Sequence, residues 1–142
     1  KVTLSNAMDV GDPSNFSRMT AVYQGSVAAM REDVSASSFS DEETLSAMSR
    51  VFAEQNYLLD PHGAVACLGL EHELKKSSYD AGCCLETAHP AKFLEVVAMA
   101  KIPLPPIPER LQAALDKKKE STCLSASFAH LKDLLLSGQS PH

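Results

Sequence analysis

Five residues with zinc-binding side chains could converge, His62, Cys67, Cys83, Cys84 and His89, but their spacing argues against a metal centre. No Cys-x-x-Cys pair occurs, and the adjacent Cys83 and Cys84 would point to opposite faces of a strand. Serines are numerous, yet none sits in Gly-x-Ser-x-Gly, and neither of the glycine-rich phosphate-binding signatures is present. Lys92 lies beside an apolar run with His89 nearby. There it is either a desolvated nucleophile or a side chain that carries its ammonium to water from a helix start. The Asp60-Pro61-His62-Gly63 run reads as a helix start. Either the N–H groups of His62, Gly63 and Ala64 offer a seat for an anion, or Asp60 is a plain structural cap. Thr87 ends an apolar run, and its hydroxyl either serves a site or bonds nearby backbone.

These residues fall on three polar loops, 5–15, 60–63 and 87–92, each beside an apolar element, which is where α/β proteins build ligand sites. Short apolar runs alternate with longer stretches of helical period, so the pattern predicts an α/β fold with helices packed around a few sheet strands. Strands are expected over 2–4 and 34–39, with a buried one inside 79–87 around Cys83-Cys84-Leu85. A helix is expected from about Pro13, capped by Asp12 or Ser14 and stopped near Gly25, with a further turn over 27–30. Ser40 with Glu43 three positions on is a capping box for a helix carrying Leu45, Met48, Val51 and Phe52. Asp60 and Pro61 start a helix that should run to about Lys76. His89-Pro90 turns the chain into a helix bearing Phe93, Leu94, Val96, Val97 and Met99. Prolines make 102–108 an extended connector, and two helices follow, around Leu111 and Leu131. Residues 138–142 read as a frayed tail.

At 142 residues, 44% hydrophobic, the chain has the length and apolar content of one domain. The 35 or so residues beyond the connector are about too few to bury a core of their own, so 1–137 is expected to act as a single unit. A net charge of -5 leaves no basic surplus for neutralising a nucleic-acid backbone, and no apolar run suits a membrane span. The four cysteines read as a cytoplasmic set with no disulfide. The chain opens on Lys1-Val2-Thr3-Leu4 without a start residue or signal sequence, which reads as a fragment or a matured piece.

Read together and in order, Leu4-Ser5-Asn6-Ala7-Met8-Asp9-Val10-Gly11-Asp12-Pro13-Ser14-Asn15, Tyr57-Leu58-Leu59-Asp60-Pro61-His62-Gly63-Ala64-Val65-Ala66 and Thr87-Ala88-His89-Pro90-Ala91-Lys92-Phe93 resemble the carboxyl-terminal third of the threonine synthase family, bacterial type. The resemblance covers about residues 2–97 closely and the remainder more loosely. It departs from the family pattern twice: Gly63 stands where a Thr is more usual, and Glu86 precedes Thr87 where a small residue is common.

The resemblance implies part of the large cofactor-binding domain of a fold type II pyridoxal-phosphate enzyme. Such an enzyme is a lyase of threonine biosynthesis, converting O-phospho-homoserine and water to threonine and phosphate. Thr87 matches the hydroxyl donor to the pyridine nitrogen. Asn6, Asp9, Ser14 and Asn15 match a loop closing one wall of the site, and His89 and Lys92 support the strand end or approach the substrate phosphate. The lysine that binds the cofactor covalently and the cradle for its phosphate lie upstream of these motifs in the family, and Lys92 does not match that lysine's motif. No catalytic residue is therefore expected in this chain, which is expected to be inactive without the amino-terminal part of the enzyme. A threonine-synthase-like phospho-lyase and a truncated, non-catalytic binding product share these motifs.

Overall fold

In the computed structural model, residues 2–76 and 78–138 are described, and they form helices joined by loops. Among the described residues seven α-helices run in order: α1 Phe16–Val22, α2 Val27–Asp33, α3 Asp41–Gln55, α4 Pro61–Lys76, α5 Leu94–Met99, α6 Glu109–Leu115 and α7 Phe128–Ser137. Single 3-10 turns occupy Asn6–Met8 and Pro90–Lys92. The chain divides into two compact units, one through Pro106 and one from Ile107 onward.

No strand occurs among the described residues, which corrects the expected sheet. Residues 2–4, 34–39 and 79–87 are non-helical, but none finds a neighbouring segment with which to exchange backbone hydrogen bonds, and an extended segment is a strand only when a ladder closes on it. The apolar run Cys83-Cys84-Leu85 is correspondingly not buried: Cys83 is exposed, and Leu85 keeps 74% of its surface.

The helices obey local chemistry. Ser40 accepts the Glu43 N–H at 3.2 Å while the Glu43 carboxylate accepts the Ser40 N–H at 2.7 Å, a complete capping box. Asp41, Glu42 and Glu43 in the first turn of α3 complement the positive end of its dipole. That helix ends at Asn56, in the left-handed region at φ 51°. Pro61 opens α4, which reaches Lys76 as its pattern predicts. α1 starts later than expected, with Asn15 rather than Asp12 or Ser14 before its first residue, and Gly25 follows it at φ 75°. Ser26 accepts the Ala29 N–H and so caps α2. The helix expected after His89-Pro90 is split, because Phe93 takes φ -128° between the 3-10 turn and α5.

The core of the first unit is the contact of α3 with α4 and α5. Ala47 and Met48 of α3, Leu59, Ala64 of α4, Val96 and Val97 of α5, Ala100 and Ile102 form one buried cluster. Met48 and Val97 are wholly enclosed. Burial of such side chains contributes roughly 1.5–3 kcal/mol each, which is the main force holding α4 in place. Two polar ties add direction: the Ser49 hydroxyl donates to the Ala100 carbonyl at 2.8 Å, and Arg50 Nη2 meets Glu71 Oε1 at 2.7 Å. In the second unit, α6 follows the proline-rich connector and α7 ends at Gly138 with φ 63°. The expected frayed tail, 138–142, lies outside the described residues after Gly138.

Candidate functional site

The start of α4 carries a dense set of polar contacts. Asp60 is fully buried, and its Oδ1 accepts both the backbone N–H of His62, at 2.8 Å, and the ring Nδ1–H of His62, at 2.7 Å. Its backbone carbonyl accepts the Ala64 N–H at 2.9 Å. Two of the N–H groups considered for an anion are thereby taken, and Asp60 acts as the cap. The other ring nitrogen of His62, Nε2, accepts the Ala7 N–H at 3.2 Å, which assigns the hydrogen to Nδ1. The ring also packs on Phe93, with centroids 5.1 Å apart. With both nitrogens committed, His62 is a fixed wall rather than a proton carrier.

Around that wall, the structure gathers the three loops. One cavity of about 320 Å³ is lined by Ser5, His62, Val65, Ala66, Leu85 and Thr87. A second, of about 430 Å³, is lined by Asn6, Ala7, His62, Thr87, Lys92 and Phe93 among others. His62 and Thr87 are shared by both. Thr87, Asn6 and Lys92 are thus brought together. Asp9, Ser14 and Asn15 are exposed and line neither cavity. Asp9 staples its own loop: its two carboxylate oxygens accept the Thr3 N–H and the Thr3 hydroxyl, each at 2.7 Å, and these bonds hold its pKa below the usual carboxylate range. The Ser14 carbonyl accepts from Ser17, and Asn15 precedes α1 without a side-chain cap. His89 caps the 3-10 turn, its Nδ1 accepting the Ala91 N–H at 3.1 Å. No cluster of three metal-binding side chains is found among the described residues. No helix there is long and apolar enough to cross a membrane.

The two departures from the family pattern turn out to be one contact. A Cβ on Gly63 would lie 1.6 Å from Glu86 Oε2 and 2.5 Å from its Cδ, so the Glu86 carboxyl occupies the volume a side chain at 63 would need. From that position Glu86 Oε1 accepts the Asp60 N–H at 2.8 Å. Burial, joined by the neighbouring Asp60 carboxyl, pushes the Glu86 pKa up to about 7. Burial works against ionising Asp60 as well, but the bonds from Glu86 and from the His62 backbone and ring outweigh it and hold Asp60 below its ordinary value. The sequence offered Asp60 as a cap and His62 as an anion seat or zinc ligand, and Glu86 only as a departure from the family pattern, so none of the three was expected in this pairing. The signal available was the pair of departures at 63 and 86.

The family described as threonine synthase, C-terminal, matches residues 64–135. The threonine synthase of Serratia marcescens is 37% identical over 134 residues, a match that takes in 94% of this chain and 30% of that protein. That of Escherichia coli (strain K12) is 35% identical over 139 residues, covering 98% and 32%. Among solved structures, the crystal structure of PLP-bound threonine synthase from Brucella melitensis superimposes with a TM-score of 0.66 at 26% identity, over 95% of this chain and 34% of that one. The chain thus spans about a third of the length of the relatives it matches.

Proposed function

Since the chain belongs to the threonine synthase family, as its carboxyl-terminal region, we propose that it supplies one wall of a pyridoxal-phosphate active site that turns O-phospho-homoserine and water into threonine and phosphate. The observation that carries this reading is the placement of Thr87. Its hydroxyl makes no hydrogen bond among the described residues, and Thr87, like His62, lines both cavities.

The residues present fit the cofactor. Val65, Ala66 and Leu85 give the first cavity an apolar lining suited to a flat ring, and the uncommitted Thr87 hydroxyl supports a donor role toward a ring nitrogen. Lys92, in no ion pair among the described residues, brings a cation to the second cavity, where a phosphate of the substrate would be held. Pyridoxal phosphate supplies an electron sink for carbanions next to an amino group. Thr87 would donate a hydrogen bond to the ring nitrogen without transferring a proton, and so keep the ring neutral. His62 would exclude water and hold the Asn6–Met8 turn through Ala7. Asn6, Asp9, Ser14 and Asn15 would close the loop side and His89 would hold the turn that carries Lys92. Residues 1–137 would serve the same catalytic domain, of fold type II, in the cytoplasm. The lysine that binds the cofactor and the phosphate cradle would come from the amino-terminal part of the enzyme, so the chain alone would be inactive.

In a complete enzyme carrying this segment, Thr87→Asp should still bind cofactor but lose at least about tenfold in threonine formation, equivalent to about 1.4 kcal/mol in the barrier. Thr87→Ser, which keeps the hydroxyl, should retain most activity. Equal activity for Thr87→Asp and the parent would remove Thr87 from the ring. The chain by itself should keep no pyridoxal-phosphate absorption band after dialysis. A band that survives dialysis and vanishes in Lys92→Ala would overturn that expectation.

A further inference from the structure

The Glu86 carboxyl, in the space left by Gly63, and the wholly buried Asp60 carboxyl each keep one buried oxygen, Glu86 Oε2 and Asp60 Oδ2, that has no hydrogen-bond partner among the described residues. As two carboxylates they would form an unsatisfied pair of like charges, an arrangement that costs far more than a protonated partner does. One proton between them satisfies both oxygens and leaves the remaining bonds intact: Asp60 N–H to Glu86 Oε1, and the two His62 N–H groups to Asp60 Oδ1. We propose that Asp60 and Glu86 share a single proton, and that this proton latches the segment carrying Thr87 onto the start of α4. Glu86 is then a positioning residue for its neighbour Thr87, whether or not Thr87 meets a pyridine ring.

Loss of the proton reverses the balance. Glu86 must leave the face of Gly63 for water, abandoning the Asp60 N–H, and the following residues move with it. Among the described residues the ionisable group that meets the pair is His62; Asp9 from the first loop interacts electrostatically with His62, and Lys92 from the 3-10 turn shares a cavity with it. His62 is already committed at both ring nitrogens, to Asp60 Oδ1 and to the Ala7 N–H. The direction with pH follows from linkage. Glu86 is raised from 4.5 to about 7 in the folded chain, so its contribution to stability is complete below about 4.5 and lost as pH rises through about 7. Asp60 is lowered, so its contribution is lost only as pH falls below its usual value of 3.8.

The test is a carbon- and nitrogen-detected NMR titration of the isotopically labelled 142-residue chain between about pH 5 and pH 9. The Glu86 carboxyl carbon should titrate near 7, and the Thr87 amide should shift with the same midpoint. Glu86→Gln places an amide donor where the proton sat, so the Thr87 amide should stay at its low-pH position throughout. Glu86→Ala should hold it near its high-pH position. The unfolding midpoint should fall between pH 5 and 9 by more in the parent than in Glu86→Gln, and Asp60→Asn should abolish the shared titration. A Glu86 carbon that titrates near 4.5, or a Thr87 shift that persists unchanged in Glu86→Gln, would overturn the latch. Neither result bears on cofactor binding, which Thr87→Asp tests separately.

Discussion

Replacing Gly63 by Ala should be costly only because Glu86 is there. The added Cβ would sit 1.6 Å from Oε2 and 2.9 Å from Oε1, so the carboxyl has to be expelled rather than nudged. Expulsion strips the Asp60 N–H of its acceptor, a loss of about 1–3 kcal/mol for a buried donor. Against this, Ala gains about 0.5–1 kcal/mol over Gly in a helix, less near the first turn where Gly63 lies. The net expectation is destabilisation by about 1–2 kcal/mol. In a Glu86→Ala background the clash and the bond are both gone, so Gly63→Ala should become neutral or stabilising by a few tenths, giving a coupling of about 2 kcal/mol between two residues 23 apart in sequence. Urea unfolding followed by far-ultraviolet circular dichroism, on all four corners of the cycle and well below the Glu86 pKa of about 7, so that its carboxyl stays on Gly63, measures it. An equal cost for Gly63→Ala with and without Glu86 would mean that the helix backbone, not this carboxyl, demands glycine, and the reasoning would be wrong.

Three further outcomes follow from the packing and capping. Met48→Ala, at a fully enclosed position, should cost about 2–5 kcal/mol in the same assay, whereas Met99→Ala, at an exposed one, should stay within about 0.5. Ser40→Ala breaks the capping box of α3 and should cost about 1 kcal/mol, with most of that recovered in Ser40→Asp. The Cys67 thiol is pushed up by burial and then by the Glu71 carboxylate, so iodoacetamide at about pH 8 should label exposed Cys83 and Cys123 first, and peptide mapping that finds Cys67 modified earliest would contradict this.

What local sequence determined was the set of helices and several of their ends, though not the late start of α1 or the break at Phe93. Ser40 with Glu43, Asp60 with Pro61, and Asn56 and Gly25 in left-handed backbone act on neighbours within a few residues, so their effect is written in spacing alone. The three loop motifs carried the family resemblance for a similar reason: a loop that builds a site is constrained residue by residue. The strands failed because Val2 to Leu4 or Cys83 to Leu85 can satisfy their backbone in a sheet only if another segment lies alongside, and apolar content does not say what covers a run. The site was half visible. Thr87 and Lys92 stood out by type and position, but Asp60 read as a cap, and Gly63 and Glu86 as two separate oddities. Only tertiary structure decided that they meet, because the hydrogen bond and the excluded volume joining them act across space between the first turn of α4 and a loop. A carboxyl's preference for its proton is set by that surrounding, by how little water reaches it and which charge lies beside it, and no pattern along the chain records either.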